Sequence, residues 1–299
     1  MKKVDLHIHS NHSNDGELGV PDIIDKCLQG KLEIVSITDH NTAAGVQEAL
    51  EYGSDKGLKV LAGIEIDCIY KGIDLHLLGY NINHLSNDFS ELIKEYEARI
   101  LESVPRMIRN LANAGITVDE DEVVEKAGTD LPSPELIAEV LLTNTRYHHN
   151  RLLEPYMPGG ERSDMPYINF YLDYFAQGKP AYDKIEHISF EEAVELVAGN
   201  GGIPVVAHPG ANLRGQEELV TELLDRGAEG LEVFNNYHEQ DQITYFCETG
   251  MQRKVLLTCG SDFHGKNKPL IQPGEYRVNK HYLEYVLESI KSLTKGTAD

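Results

Sequence analysis

The sequence predicts an α/β fold: a parallel barrel close to the (β/α)8 type, one unit short, with an open doubly wound sheet as the alternative. Three observations predict it. Seven short apolar runs alternate with helical patterns along the 299 residues, and such alternation calls for parallel strands joined by crossover helices. Metal-capable side chains recur at or near the C-terminal ends of those runs, the end where α/β barrels carry their sites. Residues 85–185 break the rhythm with helical patterns alone.

The elements follow in order. "KVDLHIH" (3–9) opens the barrel as strand one. "VPDIIDKCLQG" then reads as a helix entered through Pro21 and stopped at Gly30. "LEIVSIT" (32–38) is the second strand, and "TAAGVQEALEYGSDKG" a helix with Thr42 as N-cap. "LKVLAGIEI" (58–66) and "IDLHLLGYNI" (73–82) are strands three and four. The insertion brings "SELIKEYEARILESVPRMIRNLANAG", "DEDEVVEKAG" and "SPELIAEVLLTNTRYHHNRLLEPY", each read as a helix. "SFEEAVELVAGNGG" follows, with Ser189 and Glu192 spaced as a capping box. "IPVVAH" (203–208), "GLEVFN" (230–235) and "KVLLTCGSD" (254–262) complete the strands, while "QEELVTELLDRG" and "HYLEYVLESIKSL" have helical periodicity. Residues 1–84 and 186–299 therefore form the barrel, and 85–185 a helical insertion placed as a lid.

Composition bounds the function. A chain that is 41% hydrophobic and 25% charged, with mean hydropathy −0.35, suits a water-exposed globule. No apolar run reaches the ~18 residues of a membrane span, so no membrane partner is expected. "MKK" passes straight into strand one without a signal core, which predicts a cytoplasmic protein. Cys27, Cys68, Cys247 and Cys259 form no C-x-x-C pair and read as reduced thiols, with Cys259 near the site end of the last strand. The net charge of −22 repels a phosphate backbone and disfavours long nucleic acid.

Residues two apart in a strand share a face. His7 and His9 do so in strand one, and Asp262 and His264 repeat the spacing at the end of the last. His40 ends strand two, Glu65 lies near the end of strand three, His76 midway along strand four and His208 at the end of strand five, while Asp15 sits in the first loop. Taken singly, each reads as a packed or hydrogen-bonded residue. Together they make nine ionisable groups converging on one end of a barrel, and burying that many without partners would cost several kcal/mol each. Metal ions remove that cost. Imidazole and carboxylate donors without a thiolate pair suit Mn, Fe or Zn, and nine donors with a bridging carboxylate suit two or three ions.

The chain resembles the polymerase and histidinol phosphatase (PHP) family of metal-dependent phosphoesterases. The resemblance rests on "DLHIHS" with "SNDG", "ITDHN", "GIEI", "HLLGYNI", "VVAHPG", "GLEVFN" and "GSDFHG", in that order along the chain. It implies a distorted (β/α)7 barrel. It also implies three metal groups: His7, His9, Glu65 and Asp262; Glu65, His76 and His208; Asp15, His40 and His264. The insertion is similar to that of the branch acting on nucleoside phosphates and 3′,5′-bisphosphorylated nucleotides. That branch carries a phosphate-gripping arginine about where this chain has Pro134.

The resemblance implies hydrolysis of a small phosphomonoester by metal-activated hydroxide. Asp262, His264 and His238 are candidates for protonating the leaving alkoxide, although a metal-bound histidine cannot also donate. His238, in "FNNYHEQ", reads equally as a solvated histidine at a helix start. Arg214, Arg146 and His148, with His149 and Arg151 beside them, are candidates for holding substrate phosphate or for lying on an exposed helix end. Three rivals remain: metal-assisted amide hydrolysis, exonucleolytic trimming of short oligonucleotides, and a non-catalytic metal-binding domain. The sequence leaves the oligomeric state open.

Overall fold

The structure, a computed structural model, describes residues 4–294; Lys3 and the rest of the "MKK" start lie outside the described residues. Eight strands form one sheet: β1 (Val4–Ile8), β2 (Ile34–Ile37), β3 (Lys59–Tyr70), β4 (Ile73–Tyr80), β5 (Ile188–Ser189), β6 (Ile203–Val206), β7 (Gly230–Phe234) and β8 (Leu256–Cys259). The order is β1-β2-β3-β4-β6-β7-β8, with the two-residue β5 added on β3. The ends meet: Ile8 bridges Phe263 in parallel, the Asp262 N–H donates to His7 O at 2.9 Å and the His9 N–H to Phe263 O at 3.0 Å. All five residues of β1 are buried, as expected where both faces of a parallel strand are covered.

The barrel is not parallel throughout. β3 runs parallel to β2 over Lys59–Ala62, then antiparallel to β4 from Gly63 to Tyr70, and β4 is also antiparallel to β6. Lys71 (φ 50°) and Gly72 (φ 80°) join β3 to β4. Positive φ at both central residues matches the two-residue hairpin turn that suits strand twist. The expected all-parallel order is corrected here. β4 enters from the site end, so His76, midway along it, comes level with Asp67 near the end of β3.

The helices of the barrel are α1 (Val20–Gln29), α2 (Val46–Lys56), α7 (Phe190–Gly199), α8 (Pro209–Asn212), α9 (Val220–Asp225), α10 (Gln240–Arg253) and α11 (Leu283–Leu293); the insertion adds α3 (Asn87–Asn113), α4 (Glu120–Ala127), α5 (Pro134–Thr143) and α6 (Pro166–Tyr174). The Ser189–Glu192 capping box forms. Thr42 instead accepts the Ala44 N–H in a turn, and α2 starts four residues later. The long helix expected from Ser133 ends at Asn144, whose side chain accepts the Arg146 N–H and opens a 3-10 turn. A side chain that satisfies nearby backbone competes with helix continuation. Residues 85–185 contribute no strand and gather a core of their own, including Met107, Leu111, Ile137, Leu141 and Phe170.

Candidate metal centre

The strand geometry brings the nine predicted residues to one end of the barrel. Donor atoms of His7, His9, Glu65 and Asp262 lie within 4.8 Å of one another, as do those of Glu65, His76 and His208, and of His9, Asp15, His40 and His264. A fourth group, His40, Asp67 and His76, contains a residue the sequence reading missed. Glu65 is fully buried and central: its Oε2 lies 3.0 Å from Nε2 of both His7 and His9, and its Oε1 lies 3.0 Å from His76 Nδ1 and 3.2 Å from His208 Nε2.

Outer partners aim the rings. His7 Nδ1 faces Glu232 Oε1 at 3.1 Å, His9 Nδ1 Ser13 Oγ at 3.2 Å, His208 Nδ1 Asn212 Oδ1 at 2.7 Å and His264 Nδ1 the Asp262 carbonyl at 2.9 Å. Each bond turns Nε2 inward, the arrangement by which proteins fix imidazole ligands. Glu232 also accepts the His208 N–H at 2.8 Å. That bond helps hold His208 at φ 22°, a backbone conformation stored where a site over-determines it. Asp262 is likewise left-handed, at φ 59°.

The buried carboxylates and imidazoles shift one another strongly. Burial works against charging His7, yet Glu65, Glu232 and Asp262 outweigh it and raise its pKa well above the ordinary histidine value. Burial likewise opposes ionising Glu65, but His7, His40 and His76 outweigh it and hold the carboxyl well below its usual range. His264 goes the other way: burial, reinforced by His9 and Lys268, pushes it down to about 4. Asp15 Oδ1, Asp67 Oδ1, His40 Nδ1 and His264 Nε2 are buried without a hydrogen-bond partner. His40 Nδ1 and Asp67 Oδ1 are only 2.9 Å apart, so the pair is in ionic range but off the angle of a hydrogen bond. Inward-facing imidazole and carboxylate atoms without donors between them fit divalent transition metals.

The remaining candidates sit elsewhere or do something else. His238 is fully buried rather than solvated. Its Nδ1–H donates to the Val233 carbonyl at 3.0 Å and its Nε2 accepts the Gly210 N–H at 3.1 Å. Both ring nitrogens are therefore used on backbone. The ring holds the turn after His208 and has no proton to offer a leaving group. Arg146 is an exposed surface residue paired with Glu122 at 2.6 Å and Asp119 at 3.4 Å. His148 Nε2 faces the Leu142 carbonyl at 3.0 Å, His149 and Arg151 are exposed in the insertion, and Arg214 is exposed after α8. Cys259 is buried, with its Sγ at 3.2 Å from the Tyr276 hydroxyl.

Three residues beyond the predicted set stand at the centre. Asp67 follows Glu65 by two along β3 and so shares its face; the E-x-D spacing repeats the H-x-H signal of β1. Glu232 is a lone carboxylate in an apolar strand, and that contrast is its signal. Lys268 has no local signal. Its Nζ lies 2.5 Å from Asp262 Oδ2.

Comparison with known proteins places the chain among its relatives. The PHP domain family matches residues 5–232. The 3′,5′-nucleoside bisphosphate phosphatase of Chromobacterium violaceum is 28% identical over 88% of this chain and 88% of its own. The 5′-3′ exoribonuclease of Haemophilus influenzae is 26% identical over 90% of this chain and 96% of its own. A solved amidohydrolase structure from Chromobacterium violaceum shares the fold with a TM-score of 0.77 at 24% identity, covering 96% of each chain.

Proposed function

The chain belongs to the PHP domain family, and on that premise we propose that it is a metal-dependent phosphoesterase acting on a small phosphomonoester such as a nucleoside monophosphate or 3′,5′-bisphosphate. The observation that carries the reading is the convergence of Glu65 with six histidines and three further carboxylates in overlapping groups. His7, His9, Asp15, His40, Glu65, His76, His208, Asp262 and His264 hold two or three Mn, Fe or Zn ions, with Asp67 as a further donor. Such ions supply Lewis-acid neutralisation of phosphate oxygens and bring the pKa of a water toward neutrality.

The chain's own groups supply the positioning. Glu65 presents one oxygen to each of two groups and so fixes their spacing. Glu232, Ser13 and Asn212 set the ring orientations of His7, His9 and His208. The insertion is a lid over this end. Lys266 Nζ, two residues after His264, meets Glu139 of α5 at 2.5 Å. No helix among the described residues is long and apolar enough to cross a membrane. The four cysteines are buried and not joined in disulfides, in keeping with work in a reducing cytoplasm.

The exoribonuclease relative favours a second reading, trimming of short oligonucleotides. The charge of −22 opposes long polymers but not chains of a few units. One experiment separates the two. Mn²⁺-loaded protein is offered nucleoside monophosphates, 3′,5′-bisphosphates and di- to pentanucleotides, with and without EDTA. The proposal expects EDTA-sensitive phosphate release from the small esters. Mononucleotide release from oligonucleotides alone would favour the second reading, and no turnover in the metal-replete protein would overturn both.

A further inference from the structure

Lys268 is an ammonium group 7% exposed at a centre built to take metal cations. Lysine is almost never fully buried unless paired, and here the pairing is specific. Asp262 divides its two oxygens: Oδ1 lies 3.3 Å from Nε2 of both His7 and His9, inside the first metal group, while Oδ2 faces Lys268 Nζ at 2.5 Å. The ammonium thus stands one carboxylate's width from a metal position. Its Nζ also lies 5.3 Å from the centre of the Tyr237 ring, and its hydrogen bond to Asp262 occupies one of three N–H donors. Its backbone is pinned by the bond from its N–H to Gly265 O at 3.1 Å, and the preceding Asn267 side chain donates to Asp15 O at 2.6 Å. From the lid, Glu135 of α5 and Tyr171 of α6 face it electrostatically.

The charge balance gives this placement a purpose. Five carboxylates, Asp15, Glu65, Asp67, Glu232 and Asp262, against two or three divalent ions leave the centre within one charge of neutral. A lysine added there shifts the balance toward holding an anion. A centre needing only metals would gain nothing from a buried cation that repels them.

We propose that Lys268 is the residue of this chain that grips the substrate's phosphate, an N–H not used on Asp262 reaching a phosphate oxygen held beside that carboxylate. The assignment rests on the phosphoesterase reading above. It replaces Arg214 and Arg146, of which Arg146 is committed to Glu122 and Asp119.

The test uses inorganic phosphate as probe. Mn²⁺-loaded wild type, Lys268→Met, Lys268→Gln and Lys268→Arg are titrated with phosphate by calorimetry, with metal content measured on the same samples. The expected result is unchanged metal content, phosphate affinity lowered tenfold or more in Met and Gln, and a smaller loss in Arg, which keeps the charge. Wild-type affinity in Met or Gln overturns the proposal. So does loss of metal in step with loss of phosphate, which would make Lys268 a prop for Asp262. If either neutral variant is unfolded, the other and the Arg variant decide. The outcomes stand apart from the wider reading: a protein that hydrolyses phosphomonoesters equally well with Met or Gln at 268 refutes the inference and keeps the phosphoesterase. A protein whose phosphate affinity needs Lys268 but which turns over no ester does the reverse.

Discussion

Glu65 is the residue on which the centre turns. Its Oε2 serves His7 and His9, and its Oε1 serves His76 and His208. An amide in its place offers one weak donor oxygen, so Glu65→Gln should lower the metal content of two groups together, whereas His76→Ala should empty one and spare the group of His7, His9 and Asp262. Elemental analysis of the two variants reads the difference. Glu232 acts at one remove, through His7 and the His208 N–H. Loss of such an outer partner weakens metal binding by about 10- to 100-fold, and Glu232→Gln should fall in that range in a competition titration with a chelating dye. His238→Phe keeps the volume but strands the Gly210 N–H and the Val233 carbonyl. It should cost about 1–3 kcal/mol in denaturant unfolding, because its role is to hold the turn after His208.

At the scale of elements, the hairpin and the insertion are where sequence and structure part. Glu65 and His76 were legible as site residues, but not the direction of the strand that carries His76. The clue was the pair Lys71-Gly72 between two apolar runs, a two-residue connection too short for any crossover between parallel strands. Ending strand three at residue 66 also hid Asp67. The capping box at Ser189 was legible because its signal is local. The break in the helix at Asn144 was not, since it depends on Asn144 bonding the Arg146 backbone and Glu122. Lys268 was invisible because only the folded loop brings it to Asp262. An ion pair, Lys266 with Glu139 of α5, latches the insertion to the loop after His264. Burial alone would raise the Glu139 carboxyl, but Lys126 and Lys266 outweigh it and lower its pKa. A depressed carboxylate contributes stability that is fully present above its unfolded value and lost as pH falls through the folded one. Both lysines are partly exposed, so the latch is worth about 1 kcal/mol or less. Hydrogen exchange in α5 should therefore quicken as pH drops below ~4.5, relative to barrel strands, and Glu139→Gln should show the faster exchange already at pH 7.

At the scale of the molecule, the bulk of the insertion packs a core distinct from the barrel's. The insertion's apolar cluster runs from Tyr96 to Ala181, while the barrel's clusters draw on its strands and outer helices and on Phe89 and Leu92 from the first turns of α3. Each of the nine predicted donors belongs to the barrel portions of the chain. Replacing residues 93–185 with a short linker, which keeps Phe89 and Leu92 in the barrel core, should leave a folded barrel that still binds metal and loses discrimination among substrates. A variant unable to fold or to take up metal would show that the insertion is part of the barrel's own stability. The breadth of the resemblance, from "DLHIHS" to "GSDFHG", made the family legible, because the strand ends must supply donors in a fixed order for the groups to meet.

The central claim is that these side chains form a multinuclear metal centre, and metal stoichiometry tests it most directly. Protein purified without chelators, then equilibrated with Mn²⁺ or Zn²⁺ and desalted, is assayed for metal per chain by plasma mass spectrometry. The account predicts two or more equivalents. Fewer than about half an equivalent, unrestored by either ion, would contradict it.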